Sequence, residues 1–278
     1  MKKLLTLWLA ALLLALPCMG VLAQEIAPAT SGEALEPQAD YTHLVVGSTT
    51  QMSGNFLGDI WGNNTADIDV RTLVHGYDVV AWTQESMYTI NPTVVQTTSV
   101  YDDPDGNRTY VLELQRGLMY NDGSPITAQD YVFALLLRGA PQTREIGGDT
   151  AGVSHILGSD EFVEGETPYF EGVRFLNNYA FSITIKADYL PFFYELTMLS
   201  TTPFPIDVIA PGCVVRDDGY GAYIANEDET VEEPIFTAAL LQQTLLAPGT
   251  GYVSHPTVSS GPYRLVSYDE TAHVASFE

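Results

Sequence analysis

The stretch between Thr109 and Leu137 constrains the fold more than any other part of the chain. Thr109–Leu114 is a short β-rich run that predicts a strand, and Asn121-Asp122-Gly123 predicts a turn. Thr127 then predicts the N-cap of a helix, whose shared apolar face consists of Val132, Phe133, Leu136 and Leu137. A strand, a tight turn and a capped helix in such close succession require a domain that contains both sheet and helix.

The rest of the chain continues this mixture. The apolar spacing predicts two further helices, over 67–77 and 236–246, and a short aromatic helix over 192–199. Strands are predicted at Leu44–Gly47, Val173–Phe175, Phe181–Ile185, Tyr263–Tyr268 and Val274–Phe277. The order of these elements predicts an α/β (mixed α+β) fold class.

The N-terminus is typical of an export signal. Lys2 and Lys3 precede an apolar run, Leu4–Leu16, which at about a dozen residues is shorter than the ~20 that a membrane-spanning helix needs. Cleavage after Ala23 is expected, with lipidation of Cys18 as the alternative. Residues 24–41 are rich in Ala, Pro, Glu and Ser and predict a flexible tether.

Charge excludes some partners. The chain carries 11 Lys and Arg against 35 Asp and Glu, for a net charge of −24. Nucleic acid is bound through basic side chains, so a nucleic-acid partner is excluded, and an anionic membrane surface is disfavoured for the same reason. If cleavage removes Cys18, Cys213 is the only remaining cysteine and is expected to be a small buried hydrophobe.

Catalytic and metal-binding motifs are missing from the sequence. It contains no Walker loop, no dinucleotide fingerprint, no Gly-x-Ser-x-Gly elbow and no His-Glu-x-x-His. An EF-hand alignment that starts at Asp103 fails, because Arg108 falls where Gly is required and Leu114 where Glu is required. The sequence around Asp103 therefore predicts a hairpin turn. We expect no catalytic residue, no metal and no cofactor, although abundant carboxylates leave an acid-rich hydrolase as an alternative.

One long segment resembles a known family. Tyr110–Asp130, with Arg116-Gly117 and then Asp122-Gly123-Ser124-Pro125-Ile126-Thr127-Ala128-Gln129-Asp130, strongly resembles the signature of the family 5 extracytoplasmic solute-binding proteins of ABC importers. Three further segments agree in order and spacing: Leu44–Gly47 with the first strand, Asp188–Tyr194 with a Pro-aromatic segment, and Ser260–Leu265 with the Gly-Pro-Tyr strand.

The sequence also departs from the family pattern. Tyr120 stands where the family usually has Trp, and Met52–Phe56 stands in place of a Leu-Asp-Pro. Family members continue after the Gly-Pro-Tyr strand into a second lobe, whereas this sequence ends at Glu278 in an alternating strand-like pattern. We therefore expect only the N-terminal half of such a protein, truncated before the second lobe.

The resemblance implies a fold and a function. The expected fold is a lobe of the periplasmic-binding-protein type II class over residues 42–278, with an inserted subdomain around 80–172. The expected function is the extracytoplasmic component of an ABC importer, an exported monomer that delivers a peptide or another small solute to a membrane permease. Nickel, an oligosaccharide or an opine-like compound stay open as ligands. The loop after the first strand is expected to face the ligand through Trp61, Gly62, Asn63, Asn64 and Thr65.

Three other interpretations stay open. A secreted hydrolase would need two carboxylates in one cleft. A structural or adhesive surface protein would bind surfaces that free peptides do not compete for. A non-functional truncated remnant would bind nothing, because half of a cleft buries little ligand surface.

Overall fold

The computed structural model describes residues 43–278. The predicted signal peptide (1–23), Cys18 and the tether (24–41) lie outside the described residues. The chain divides into two units, Met1–Gly47 and Ser48–Glu278, and the second contains all the regular elements below. In the described part of the chain, no helix is both long enough and apolar enough to cross a bilayer.

The second unit is built from short strands and helices. The strands are β1 (Val80–Trp82), β2 (Tyr88–Ile90), β3 (Val95–Asp102), β4 (Arg108–Leu114), β5 (Val173–Asn177), β6 (Ala180–Ile185), β7 (Cys213–Asp217), β8 (Ala222–Asn226), β9 (Leu265–Asp269) and β10 (Val274–Phe277). The α-helices are α1 (Thr65–Val74), α2 (Ala128–Gly139), α3 (Pro141–Glu145), α4 (Ser159–Glu164), α5 (Ile206–Ile209) and α6 (Ala238–Leu245).

One antiparallel sheet organises the unit. Its strand order is β3-β4-β6-β5, and β1-β2, β7-β8 and β9-β10 form three separate hairpins. The β3–β4 turn is the predicted one: the Asp103 carboxylate accepts the backbone N–H groups of Asp105 and Asn107 at 2.9 and 3.0 Å. The β5–β6 hairpin also forms where the sequence predicts it.

Helix α2 lies in the main hydrophobic core. Thr127 caps it as predicted, and a capping box forms because the Asp130 carboxylate accepts the Thr127 backbone N–H at 2.8 Å. Tyr131, Phe133, Leu136 and Leu137 are fully buried, and the Tyr131 ring stacks on Phe181 of β6 at 5.5 Å between centroids. Burial around nearly the whole helix explains why its sequence is apolar on more than one face.

Several elements differ from the sequence prediction. The strand predicted at Leu44–Gly47 does not form: no described strand pairs with these residues, and Leu44, Val45 and Val46 are about 80–90% exposed. The segment 192–199 forms only a 3₁₀ turn at Glu195–Leu199, and the last strand pair begins at Leu265 rather than Tyr263. The β7–β8 hairpin was not predicted. The overall architecture is mixed α+β, as the sequence predicts, and the inserted subdomain around 80–172 stays a prediction.

Candidate functional site

The loop predicted to face the ligand leads directly into helix α1. Trp61, Gly62 and Asn63 are irregular, Asn64 is the N-cap, and Thr65 is the first helical residue. Asn63 and Thr65 are exposed, whereas the other three are half-buried. The structure therefore brings all five residues together on one short turn at the start of α1.

Asn64 has a structural role that the sequence prediction did not give it. Its side-chain oxygen accepts the backbone N–H groups of Ala66 and Asp67 at 2.8 and 3.1 Å, and its amide nitrogen donates to the Gln51 carbonyl at 2.7 Å. These bonds satisfy two of the four N–H groups that a helix start leaves unpaired. The Asn64 side-chain oxygen and one of its two amide N–H groups are thus used within the protein's own fold.

Two charged residues of α1 hold the loop in place. Arg71 donates to the carbonyl oxygens of Asn55 and Gly62, and to the Asn63 side chain at 3.3 Å. Asp67 is fully buried and accepts the backbone N–H groups of Ser53 and Gly54 at 2.9 and 3.2 Å. Helix α1 therefore holds the segment before it at two places, at Ser53 and Gly54 through Asp67 and at Gly62 and Asn63 through Arg71.

The backbone of Trp61, Gly62 and Asn63 has free hydrogen-bonding capacity. Within residues 43–278, the backbone N–H groups of Trp61, Gly62 and Asn63 make no hydrogen bond. The Trp61 indole N–H is enclosed and also lacks an acceptor in this part of the chain, while its ring packs against the main core. An enclosed N–H without an acceptor costs about 1–3 kcal/mol, which an arrangement that supplies an acceptor would recover.

The electrostatics beside the loop combine an ion pair with a neutral histidine. Burial raises the pKa of Asp59, but its ion pair with Arg138 outweighs this and holds that pKa below its usual value. Desolvation lowers the pKa of His75 to about 4, although its Nε2 donates to the Phe56 carbonyl at 2.8 Å. His75 is therefore neutral at physiological pH and brings no cation to the loop.

The segment that resembles the Gly-Pro-Tyr motif supports α1 from its other end. The Gly261 N–H donates to the Val74 carbonyl at 2.8 Å, and the Tyr263 N–H donates to the Leu73 carbonyl at 3.0 Å. A Cβ on Gly261 would stand 2.3 Å from the Leu73 oxygen, so only glycine permits this approach. The motif thus closes the C-terminal end of the helix whose N-terminal end carries the loop.

Two observations on the described residues concern metal binding and thiol chemistry. Among residues 43–278, no three His, Cys, Asp or Glu side chains are grouped so that they could hold a metal ion. Cys213 is buried and free, and burial raises the pKa of its thiol to about 11, so it is not a reactive thiolate. The expectation of no metal and no cofactor stays a prediction.

Comparison with known proteins identifies the family. The model of the bacterial extracellular solute-binding proteins, family 5, matches residues 93–277, which is more than half of the chain. The chain belongs to this family. The match includes the strand, turn and capped helix between Thr109 and Leu137, so the resemblance read from that segment is confirmed.

The curated relatives of this family 5 protein include two oligopeptide-binding proteins. It is 28% identical over 144 residues to the periplasmic oligopeptide-binding protein OppA of Escherichia coli (strain K12), which covers 48% of this chain and 26% of the relative. It is 27% identical over 100 residues to OppA of Salmonella typhimurium, covering 35% of this chain and 18% of the relative. The matched stretches thus span only about a quarter or less of these relatives.

A solved structure supports the fold of the family 5 lobe. Lactococcal OppA, complexed with an endogenous peptide in the closed conformation, superposes with a TM-score of 0.50 at 15% identity. The superposition covers 80% of this chain and 35% of that one. At this identity the likeness concerns the fold alone, and it agrees with the expected mixed α/β lobe.

Proposed function

We propose that this protein is the substrate-binding component of an ABC importer and that it binds peptides through the turn formed by Trp61–Thr65. Membership of the solute-binding family supports a binding role rather than an enzymatic one. The oligopeptide-binding relatives support a peptide as the ligand. The observation that carries the assignment to this turn is its run of unpaired backbone N–H groups.

An extended peptide carries the hydrogen-bond acceptors that the free N–H groups of this turn lack. Peptide carbonyl oxygens accept from free backbone N–H groups, and this main-chain pairing recognises peptides independently of their side chains. The fixed ends of the loop, held by Asp67 and Arg71, mean that little conformational entropy is lost when a peptide binds. Trp61 adds apolar contact area next to these groups.

A titration with a pooled library of di- to pentapeptides tests this assignment. Isothermal titration calorimetry on the full chain should detect binding, and Trp61→Ala should weaken it by about tenfold or more, because buried Trp contacts dominate binding energies. Asn63→Ala, at an exposed position beside the free N–H groups, should weaken binding without unfolding the protein.

A matched tryptophan provides the control. Trp82 lies on β1 with 57% of its surface exposed, and Trp82→Ala should leave the affinity within about twofold. Equal losses for Trp61→Ala and Trp82→Ala would count against the turn as the binding site. If the wild-type chain binds Ni²⁺ or an oligosaccharide but no peptide, that ligand replaces the peptide in the proposal.

We further propose that the chain is exported and docks as a monomer on a membrane permease. The signal-like residues 1–23 support export, and the OppA relatives are named as periplasmic proteins. N-terminal sequencing of the protein from its source cells should start at Gln24, or at a lipidated Cys18. Recovery of an intact Met1 from the cytoplasm would contradict export. The inserted subdomain around 80–172 remains part of the same proposal.

A further inference from the structure

The outer face of the four-stranded sheet carries buried hydroxyl groups instead of apolar side chains. Thr109 on β4 lies opposite Thr184 on β6, and Ser182 on β6 lies opposite Arg174 on β5. Thr109, Ser182 and Thr184 expose only 7%, 3% and 9% of their surfaces. The alternate residues of β6, Phe181, Ile183 and Ile185, enter the main core on the other face.

A cavity of about 490 Å³ lies over these hydroxyl groups. Its walls include Tyr101 from the end of β3, Tyr169, and Tyr220 from the β7–β8 turn. The rings of Tyr169 and Tyr220 stand 5.9 Å apart at an angle of 34°. The volume falls within the range of about 300–1,000 Å³ that is typical of small-molecule sites.

An ion pair makes one wall of the cavity rigid. Arg174 donates through Nε and Nη2 to the two carboxylate oxygens of Asp217 at 2.7 and 2.8 Å. Asp217 also accepts the backbone N–H groups of Phe175 and Gly219, at 3.0 and 2.9 Å. The third guanidinium nitrogen of Arg174, Nη1, makes no hydrogen bond within residues 43–278, so a donor that the ion pair holds in place remains available.

The hydroxyl floor also has unused capacity. Within the described part of the chain, the Ser182 hydroxyl has no hydrogen-bond partner, although this side chain is almost fully buried. Thr109 and Thr184 share one hydrogen bond of 2.9 Å, which leaves one hydroxyl hydrogen and several lone pairs free. Groups that both donate and accept are matched best by ligand hydroxyls, which do the same.

The charges around the cavity select against ionic ligands. Arg174 is neutralised by Asp217, so an anion finds no free cation, and it would meet Asp103 and Glu171. Asp103 is itself occupied by Asn107 and by its own turn, and Glu171 is exposed to solvent, so a cation finds only a screened partner. A neutral ligand avoids both costs.

We propose that this cavity is a second binding site, distinct from the Trp61–Thr65 turn, for a neutral saccharide. The hydroxyl floor and the Arg174 Nη1 pair with sugar hydroxyls, and the tyrosine rings contact the apolar face of a pyranose ring. The site shares no lining residue with the turn, so it does not depend on peptide binding. The saccharide is either free in solution or part of an insoluble glycan.

Ligand-observed NMR on the full chain tests the site with neutral sugars and with two charged ones. Maltose and glucose, which are neutral, should give saturation transfer, and glucose should have a Kd below those of cationic glucosamine and anionic glucuronate, which have the same ring and one charged group. Tyr220→Ala should raise the Kd for maltose about tenfold, since about 60 Å² of lost apolar contact corresponds to that factor. Phe193→Ala, at an aromatic residue that is 89% exposed elsewhere, should leave the Kd unchanged.

Further measurements distinguish a free saccharide from an insoluble glycan, and this cavity from the proposed peptide site. Retention on amylose or chitin beads with no response to free maltose or chitotriose would identify an insoluble glycan as the source. The pooled peptides should not displace the sugar. No response to any of these sugars or beads, a preference for a charged sugar, equal losses for Tyr220→Ala and Phe193→Ala, or displacement by peptides would each overturn the proposal.

Discussion

Gly261 has no room for a side chain, because its Cα approaches the last turn of α1 closely. A Cβ there would stand 2.3 Å from the Leu73 oxygen and 2.4 Å from the Val74 carbonyl carbon. We expect Gly261→Ala to lower the free energy of unfolding by about 1–3 kcal/mol, the usual cost of an overpacked site. Urea denaturation should show this loss, whereas Gly152→Ala, whose Cβ would have its first neighbour at 4.0 Å, should not.

The Asp130 carboxyl of the capping box makes the stability of the folded protein depend on pH. Burial raises its pKa to about 6, although the Thr127 N–H donates to it. In the unfolded chain an aspartate ionises near ~3.9. Between these values the folded protein holds a proton that the unfolded chain has lost, so stability falls as the pH rises through this range.

Replacing this carboxyl with an amide should remove that dependence. The amide oxygen of Asp130→Asn still accepts the Thr127 N–H, but the side chain does not titrate. As the pH rises from 3.5 to 7, the free energy of unfolding of the variant should therefore increase by on the order of 3 kcal/mol relative to that of the wild type. Urea unfolding of both proteins at both pH values measures this difference, and an unchanged difference would contradict the assignment.

At the scale of elements, two neighbouring asparagines have different expected roles: Asn64 stabilises helix α1, and Asn63 contributes to peptide binding. Asn64 caps α1, so Asn64→Ala should cost about 1 kcal/mol of stability. Asn63 is exposed and not part of the cap, so Asn63→Ala should leave the urea midpoint nearly unchanged while it weakens peptide binding. The reverse pattern, with stability lost at 63 and retained at 64, would contradict this division of roles.

Asp217 links strands β7 and β5, which belong to different sheets. It lies at the end of β7, its side chain is only 5% exposed, and it binds Arg174 and the Phe175 N–H of β5. Asp217→Ala leaves this arginine without its partner and should cost about 3 kcal/mol. The exposed pair of Arg144 and Glu164 is the control, since Glu164→Ala should not move the thermal midpoint measurably.

The sequence predicts elements best where the signal is local. The β3–β4 turn, the Thr127 cap and the β5–β6 hairpin depend on side chains within a few residues of each other, and all three form as expected. The β7–β8 hairpin is not among the predicted elements: its turn has a local contact, Gly219 N–H to Asp217, but the bond between Asp217 and Arg174 joins residues far apart in the chain, which no local pattern shows. The strand predicted at Leu44–Gly47 does not form, because apolar composition alone does not supply a pairing partner.

The candidate site was predictable only in part. A resemblance placed the five residues on one loop, and the structure does bring them together at the start of α1. The capping role of Asn64 could have been read from the sequence, since Asn precedes a helix with Asp67 in its first turn. The unpaired N–H groups and the enclosed Trp61 indole could not, because they depend on contacts with Arg71 and the core.

At the scale of the whole molecule, the packing of the described lobe fixes the position of one short turn, Trp61–Thr65. Both ends of α1 are fixed, the N-terminal end by Asp67 and Arg71 and the C-terminal end by Gly261. The family 5 model matches residues 93–277, which contain Gly261 and the four-stranded sheet but neither α1 nor the turn.

The most direct test of peptide binding at this turn is an NMR titration of the ¹⁵N-labelled chain with the pooled di- to pentapeptides. The indole N–H signals of Trp61 and Trp82 report on the turn and on a distant strand in a single spectrum. The account predicts that the Trp61 indole and the backbone amides of residues 61–63 shift as peptide is added, while the Trp82 indole stays in place. Unchanged Trp61 signals, or shifts centred on Trp82, would contradict it.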